Sequence, residues 1–310
     1  MALPRTFFAL LFLLITLTNP SMGARMLDLW KPDAQLLTYH QGAVLQGSIP
    51  VSVLWYGTFL SSQKSIILDF IQSLASSQQQ TPSVSQWMDM IYNFYLSKVG
   101  NGARPQVLLV NQVDDAYSLG KSLSANQISQ LAAKGQPQNG GIALVLTADD
   151  VMVDDFCSTR CGMHGSNPTY SWTFIWVGNS ATQCPGHCAW PFNQPVNGPQ
   201  GNPLKAPNGD IGCEGMVINI GIMFASTVTN PYGNGYYQGQ QDAPLEAATA
   251  CPGYYGQGAF PGYAGQLLMD PASGASYNAY GANGRKYLVP ARIQILCRAG
   301  RSSAQDLDPS

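Results

Sequence analysis

Charge is scarce in this chain: only 10% of its 310 residues are Asp, Glu, Lys or Arg, and the formal net charge is −2. No basic run or stripe stands out, which argues against a partner that presents a phosphate backbone. Histidine is limited to His40, His164 and His187, and glutamate to Glu214 and Glu246. Three histidines leave little room for a Ser-His-acid triad, and no G-x-S-x-G elbow occurs. Neither H-E-x-x-H nor G-x-x-x-x-G-K-[ST] occurs, which excludes the simplest metalloprotease and the phosphate-binding loop. No Asn-x-Ser/Thr acceptor is open, since Asn167-Pro168-Thr169 is blocked by its proline, so N-glycosylation is not expected. The first cysteine is Cys157. Beyond the N-terminus no apolar stretch is expected to cross a membrane, and the polar tail Arg298–Ser310 is no lipid-anchor signal.

The N-terminus carries the most information. Arg5 precedes the unbroken apolar run Phe7–Leu17, and Ser21-Met22-Gly23-Ala24 supplies small residues for cleavage. This is the three-part pattern of a secretory leader, and an apolar run of that length is too short to span a bilayer. Cleavage near Gly23 or Ala24 leaves 25–310 as one domain with a short tail, 298–310. Loss of Arg5 then moves the charge from −2 to −3 (14 basic, 17 acidic).

Export decides how sulfur is read. Seven cysteines lie at 157, 161, 184, 188, 213, 251 and 297. In an oxidising compartment disulfides are the default, and the odd count leaves one thiol over. Spacing does not select the pairing. Cys157-x3-Cys161-x2-His164 with Cys184-x2-His187-Cys188 can also be drawn as a zinc site. A secreted chain meets oxidant first, and the spacings miss the tighter C-x2-C knuckle, so no metal or other cofactor is expected.

The first half alternates strands and helices. Pro50–Phe59 is a β-branched and aromatic run, and Gln106–Val110, Gly141–Thr147 and Ser171–Val177 also read as strands. Ile66, Ile67, Phe70, Ile71 and Leu74 recur at helical spacing after a cap at Ser61 or Ser62. Trp87, Met88, Ile91, Phe94 and Tyr95 form a second helical face after Ser83 or Ser85, and Ser124–Lys134 a third helix ended by Gly135. After Gly178 the texture turns to Gly, Pro, Asn and Tyr, interrupted by an apolar helix over Met216–Val228. The fold class is α/β: a mixed sheet covered by helices, plus long irregular Gly/Pro/Tyr-rich segments.

Several groups are candidates for a site. Asp149, Asp150, Asp154 and Asp155 crowd the end of the Gly141–Thr147 strand, where ligands of α/β sheets bind. Such acids suit calcium or acid–base chemistry, and equally a solvated turn. His164 and Glu246 are further candidates. Trp190, Phe192, Tyr254, Tyr255, Phe260, Tyr263, Tyr277 and Tyr280 are the material of a sugar-stacking platform, or of a core.

Longer segments resemble a known family. Tyr39-His40-Gln41-Gly42 and Trp55-Tyr56-Gly57-Thr58-Phe59 are similar to the start of plant EXORDIUM proteins, the phosphate-induced family. So are Phe156-Cys157-x3-Cys161-Gly162-x-His164-Gly165-Ser166 and Cys184-Pro185-Gly186-x-Cys188-Ala189-Trp190-Pro191. The most specific matches are Thr227–Tyr236, Pro244-Leu245-Glu246-Ala247 and Asn278–Tyr287. The likeness runs collinearly over about residues 36–297. It implies a secreted protein of the apoplast or cell wall, linked to cell expansion and growth, to brassinosteroid responses and to phosphate or carbon status. It carries no set of catalytic residues. It implies that Cys157, Cys161, Cys184, Cys188, Cys251 and Cys297 are the disulfide cysteines. Cys213, where the family usually has an apolar residue, is then the odd thiol. His187 stands where Gln is more usual.

Met223–Tyr237 also resembles the zinc-helix region of some secreted metalloproteases (metzincin-like), where H-E-L-x-E-x-x-T-D-P occurs. Counting back from Pro231, the His and Glu positions fall on Ile222 and Met223 and the second acid on Ser226. Those side chains neither hold zinc nor activate its water, so this resemblance implies a degenerate centre. The expected function is non-catalytic binding of a wall polysaccharide, a peptide or a receptor ectodomain. The alternative is an extracellular hydrolase of wall polysaccharide or peptides.

Overall fold

The computed structural model describes residues 37–290, apart from 77–78, 168, 170, 242, 248 and 250–252. The leader, Cys251, Cys297 and the tail 298–310 lie outside the described residues.

Five strands build the central sheet: β1 (Ser48–Tyr56), β2 (Gln106–Asp115), β3 (Ile142–Thr147), β4 (Gly162–Asn167) and β5 (Trp172–Gly178). Their order is β2-β1-β3-β5-β4, parallel throughout except for β4, which runs antiparallel to β5 at the edge. The sheet is mixed, as expected. Strands β1, β3 and β5 are buried on both faces, which is why each reads as a near-continuous apolar run. Alternation sorts their side chains. Ile49, Val51, Val53, Trp55, Ile142, Leu144, Leu146, Ile175 and Val177 enter one core. Leu54, Tyr56, Ala143, Val145, Phe174 and Trp176 enter the other.

The first core is covered by α1 (Ser61–Ser73) and α2 (Val84–Phe94), the second by α3 (Ala125–Lys134). Ser83 and Ser124 cap α2 and α3, each accepting from a backbone N–H while Gln86 or Gln127 reaches back to the cap. The expected serine cap of α1 is not formed. Leu60 occupies that position, and Gln63 Oε1 accepts from its N–H at 2.9 Å.

A fourth helix, α4 (Ile211–Thr229), is longer than the apolar segment expected there. Its 19 residues are long and apolar enough to cross a membrane, contrary to the expectation from sequence, yet 83% of the most apolar window is buried inside the protein. Met216, Val217, Ile220 and Phe224 pack into the first core, and Ile218 faces a third cluster with Phe192, Tyr255 and Leu288. A helix apolar on every side is a core helix, and the irregular second half of the chain covers the side the sheet leaves open. Gly215 permits a close approach, since a Cβ there would lie 2.8 Å from that of Ala189.

Two disulfides close the second core: Cys157–Cys184 and Cys161–Cys188, each spanning 27 residues. Cys213 is free and fully buried at the start of α4, and burial pushes its thiol pKa far up, so it is inert. Closing a loop of this size stabilises by about 3–4 kcal/mol. The double substitution Cys157→Ser/Cys184→Ser is therefore expected to lower the melting temperature by several degrees in differential scanning calorimetry; an unshifted melt would remove this bond from the account of stability.

Glu214 is the buried charge problem of the fold. It is completely inaccessible, and Oε2 finds no hydrogen-bond partner, while Oε1 accepts from Asn208 N and Nδ2 at 2.9 and 2.7 Å. Burial dominates over the Asn208 bonds and, helped by Asp210 and opposed by Arg285, raises its pKa from 4.5 to about 8. The folded protein thus keeps a proton that the unfolded chain releases above about pH 4.5. The sign follows: this group's contribution to stability falls as pH rises from about 4.5 to about 8. Melts taken across that window should decline with pH in the wild type and decline less in Glu214→Gln.

Candidate functional site

The described residues bring two of the sequence candidates into direct contact. His164 Nε2 lies 2.7 Å from Glu246 Oε2, with 17% and 8% of the two side chains exposed. The pair is 82 residues apart in the chain. His164 is held by β4, opposite Ile175 of β5. It shares a strand face with Gly162, where an added Cβ would approach Met223 Cγ of α4 to 3.3 Å. That face therefore looks onto α4. Glu246 arrives from the irregular second half. A Gln238–Leu245 bridge sets the preceding residue, with bonds of 2.9 Å in both directions, and Thr249 Oγ1 accepts from Glu246 N at 2.8 Å.

Asn230, the residue that ends α4, joins the two. Its Nδ2 donates to Glu246 Oε1 at 2.7 Å, and its Oδ1 accepts from Gly235 N at 2.7 Å. The side chain thereby ties the helix end, the Asn-Pro-x-Gly-Asn-Gly turn and the acid into one unit. One helical turn earlier, Ser226 is fully buried and its Oγ has no hydrogen-bond partner. His164 Nδ1 is likewise buried and without a partner. Met223, Ser226 and Asn230 follow one another at helical spacing along the stripe of α4 that faces β4. With the carboxylate accepting from Nε2–H, the free nitrogen of His164 is Nδ1. A histidine oriented by an acid through one nitrogen, with the other unspent, is the arrangement used by general bases and by ligand-binding histidines alike.

The four aspartates do not share a site. Asp150 accepts from Lys121 Nζ and Tyr117 Oη, and the Lys121 bond holds its carboxyl below the ordinary range. Asp155, in a left-handed turn (φ 65°), pairs with Arg160 at 3.0 Å. Asp154 is exposed, and the Asp149 carbonyl accepts from Thr182 Oγ1 and Gln183 Nε2. The acid that closes this end of the sheet is Asp115, which the sequence did not single out. It is buried and accepts from Lys134 Nζ at 2.6 Å and from Ser118 Oγ at 2.7 Å. Burial pushes its carboxyl up, and the Lys134 and Ser118 bonds overcome that and leave it below the ordinary range.

The zinc arrangement is not formed either. Cys161, His187 and Cys188 are the only metal-type cluster among the described residues, but both sulfurs are spent in Cys161–Cys188, and His164 is turned to Glu246. The aromatic candidates divide by exposure. Phe192, Tyr255 and Tyr277 are core, whereas Phe260 and Tyr263 form an exposed pair 5.2 Å apart.

A mixed α/β domain with a sheet, a largely buried helix and an ordered His–Glu–Asn cluster is thus defined. Residues 37–298 match the model of the phosphate-induced protein 1 conserved region. The chain is 52% identical to Protein PHOSPHATE-INDUCED 1 of Nicotiana tabacum over 298 residues, covering 92% of this chain and 94% of that one. It is 51% identical to Protein EXORDIUM of Arabidopsis thaliana over 295 residues (91% and 94%), and 49% identical to Protein EXORDIUM-like 1 of the same plant over 270 (84% and 87%). The chain belongs to the phosphate-induced/EXORDIUM family. No solved structure matches it.

Removing the acid strands two buried polar groups, His164 Nε2 and Asn230 Nδ2. Glu246→Ala is expected to cost about 1–3 kcal/mol in urea unfolding. Glu246→Gln, which keeps an oxygen toward Asn230, should cost clearly less. Equal losses in both variants would show that the cluster's hydrogen bonds do not matter to the fold.

Proposed function

We propose that this protein is exported to the apoplast and promotes cell expansion by binding a wall polysaccharide, a peptide or a receptor ectodomain without chemical turnover, through the face of α4 beside His164 and Glu246. One observation carries the non-catalytic reading: the helix positions that the metalloprotease resemblance assigns to zinc and its base hold Ile222 and Met223. Both are half-buried and packed against the first core, and Ile222 also against the third. Ser226, at the third position, is fully buried. Those side chains do not fit a metal, and His164 Nε2 is taken by Glu246. The antiparallel edge strand lying against a long buried helix supports a metalloprotease-like scaffold whose centre has been replaced by aliphatic side chains. Family membership supports the link to growth. The leader pattern at residues 1–24, the cysteine pairing and the sparse charge support export.

A hydrolase of wall polysaccharide or peptides is the second reading, favoured by two buried atoms without partners, His164 Nδ1 and Ser226 Oγ, and by an imidazole oriented by Glu246. One experiment separates them. Purified mature protein is incubated with wall glycans and with apoplastic peptides, and both retention and products are measured. Saturable retention without product, weakened by His164→Ala, is the expected outcome. Product formation abolished by His164→Ala would replace it with the hydrolase. Recovery of uncleaved protein in the cytosol would end both.

A further inference from the structure

The other end of α4 carries a second polar site. A cavity of about 370 Å³ opens among Asp69, Asn208, Asp270, Asn283, Arg285 and Lys286. These residues come from α1, from the loop that precedes α4, and from the C-terminal turns. The volume lies at the low end of small-molecule sites, about 300–1,000 Å³. The helix separates this cavity from Asn230 by about 27 Å, so it is not part of the His164 cluster.

Each charged or amide side chain of the lining is fixed by a bond to another side chain. Arg285 donates from Nε to Asp69 Oδ2 at 2.5 Å, from Nη1 to Asn208 Oδ1 at 3.2 Å and from Nη2 to Ser65 Oγ at 2.7 Å. Asn283, held in the left-handed region at φ 55°, donates to Asp69 Oδ1 at 2.7 Å. Lys286 Nζ lies 3.1 Å from Asp270 Oδ1 and 5.0 Å above the Tyr277 ring, while Ser273 Oγ donates to Asp270 Oδ2 at 2.8 Å. Asn208 is locked from beneath by the buried Glu214 and donates a further bond to the Lys286 carbonyl at 2.9 Å.

The chemistry of this lining narrows the ligand. Two carboxylates offset two cations, so no net field favours an anion, and the guanidinium has already engaged Nε, Nη1 and Nη2. Pro207 alone among the lining side chains is apolar, which gives a lipid tail or an apolar peptide side chain no anchor. The carboxylates already face cations, which makes them poor ligands for calcium. What remains is a rigid set of planar acceptors and donors with free lone pairs and protons. Vicinal hydroxyls, each able to donate and accept at once, match that set.

We propose that this cavity is a binding site for a neutral saccharide, separate from the His164 face and independent of it. Asn283 and Asp270 read the hydroxyls, and Arg285 and Asn208 hold the wall of the pocket. Isothermal titration of the mature protein with cellohexaose, xylohexaose, mannohexaose, hexagalacturonate and inorganic phosphate tests it. The variants are Asn283→Gly, whose backbone suits the left-handed turn, Asp270→Asn, and Lys98→Ala, an exposed residue outside the lining, as the control. The expected result is saturable binding of at least one neutral oligosaccharide. Asn283→Gly and Asp270→Asn should weaken it roughly tenfold or more, with melting temperatures kept, while Lys98→Ala leaves it unchanged. Preference for hexagalacturonate or phosphate would make this an anion site and overturn the proposal. Binding indifferent to both pocket variants, or no saturable heat with any neutral oligosaccharide, would overturn it too.

Discussion

A helix with no polar face has to be covered on every side, and α4 imposes that requirement on the whole protein. Its first side is met by the sheet and α1. The rest is met by Phe192, Ala206, Tyr255 and Leu288 from chain that has almost no regular structure of its own. Those segments are therefore not linkers. They hold their shape because apolar area on α4 is removed from water only when they pack, at about 25 cal/mol per Å². Glycine at 215 lets the Pro185–Cys188 turn come within contact distance of the helix, and the disulfide of Cys188 fastens that turn to the start of β4.

The same burial explains where the polar chemistry lies. Along its middle α4 has room for apolar side chains only, apart from Asn219, which satisfies itself on backbone carbonyls of Cys188 and Gly215. Ionisable and amide groups collect at the two ends. At the N-terminal end burial raises the pKa of Glu214 to about 8, and its Oε2 has no hydrogen-bond partner. At the C-terminal end Asn230 meets Glu246, and Glu246 meets His164. The helix is thus a spacer that separates a pocket of neutral polar chemistry from an oriented histidine.

Much of the fold was legible in the sequence. The buried strands announced themselves as apolar runs, and Ser83 with Gln86 and Ser124 with Gln127 marked two helix starts, because a cap is a local device. The strand β2 runs five residues beyond Val110, since Asn111, Gln112 and the two aspartates that follow carry no strand signal and are paired only because β1 lies beside them, with a register shift at Val51/Ser52. The edge strand β4 was invisible. Gly162-Met163-His164-Gly165-Ser166-Asn167 has two glycines and no alternation, and its extended form is imposed by β5 on one side and by the Cys161 disulfide at its start. That omission matters, for β4 is what aims His164.

What the sequence determined by itself is whatever depends on neighbours a few residues away or on composition: the leader pattern, the apolar strands, two capped helices and family membership. What only the tertiary structure decided is which distant groups meet. Four cysteines chose Cys157–Cys184 and Cys161–Cys188 over every other pairing, the aspartates near residue 150 went to separate partners, and His164 found Glu246 across 82 residues. Those outcomes rest on contacts between remote segments. Such contacts are set by how a largely apolar helix is wrapped, and no local pattern of residues encodes them.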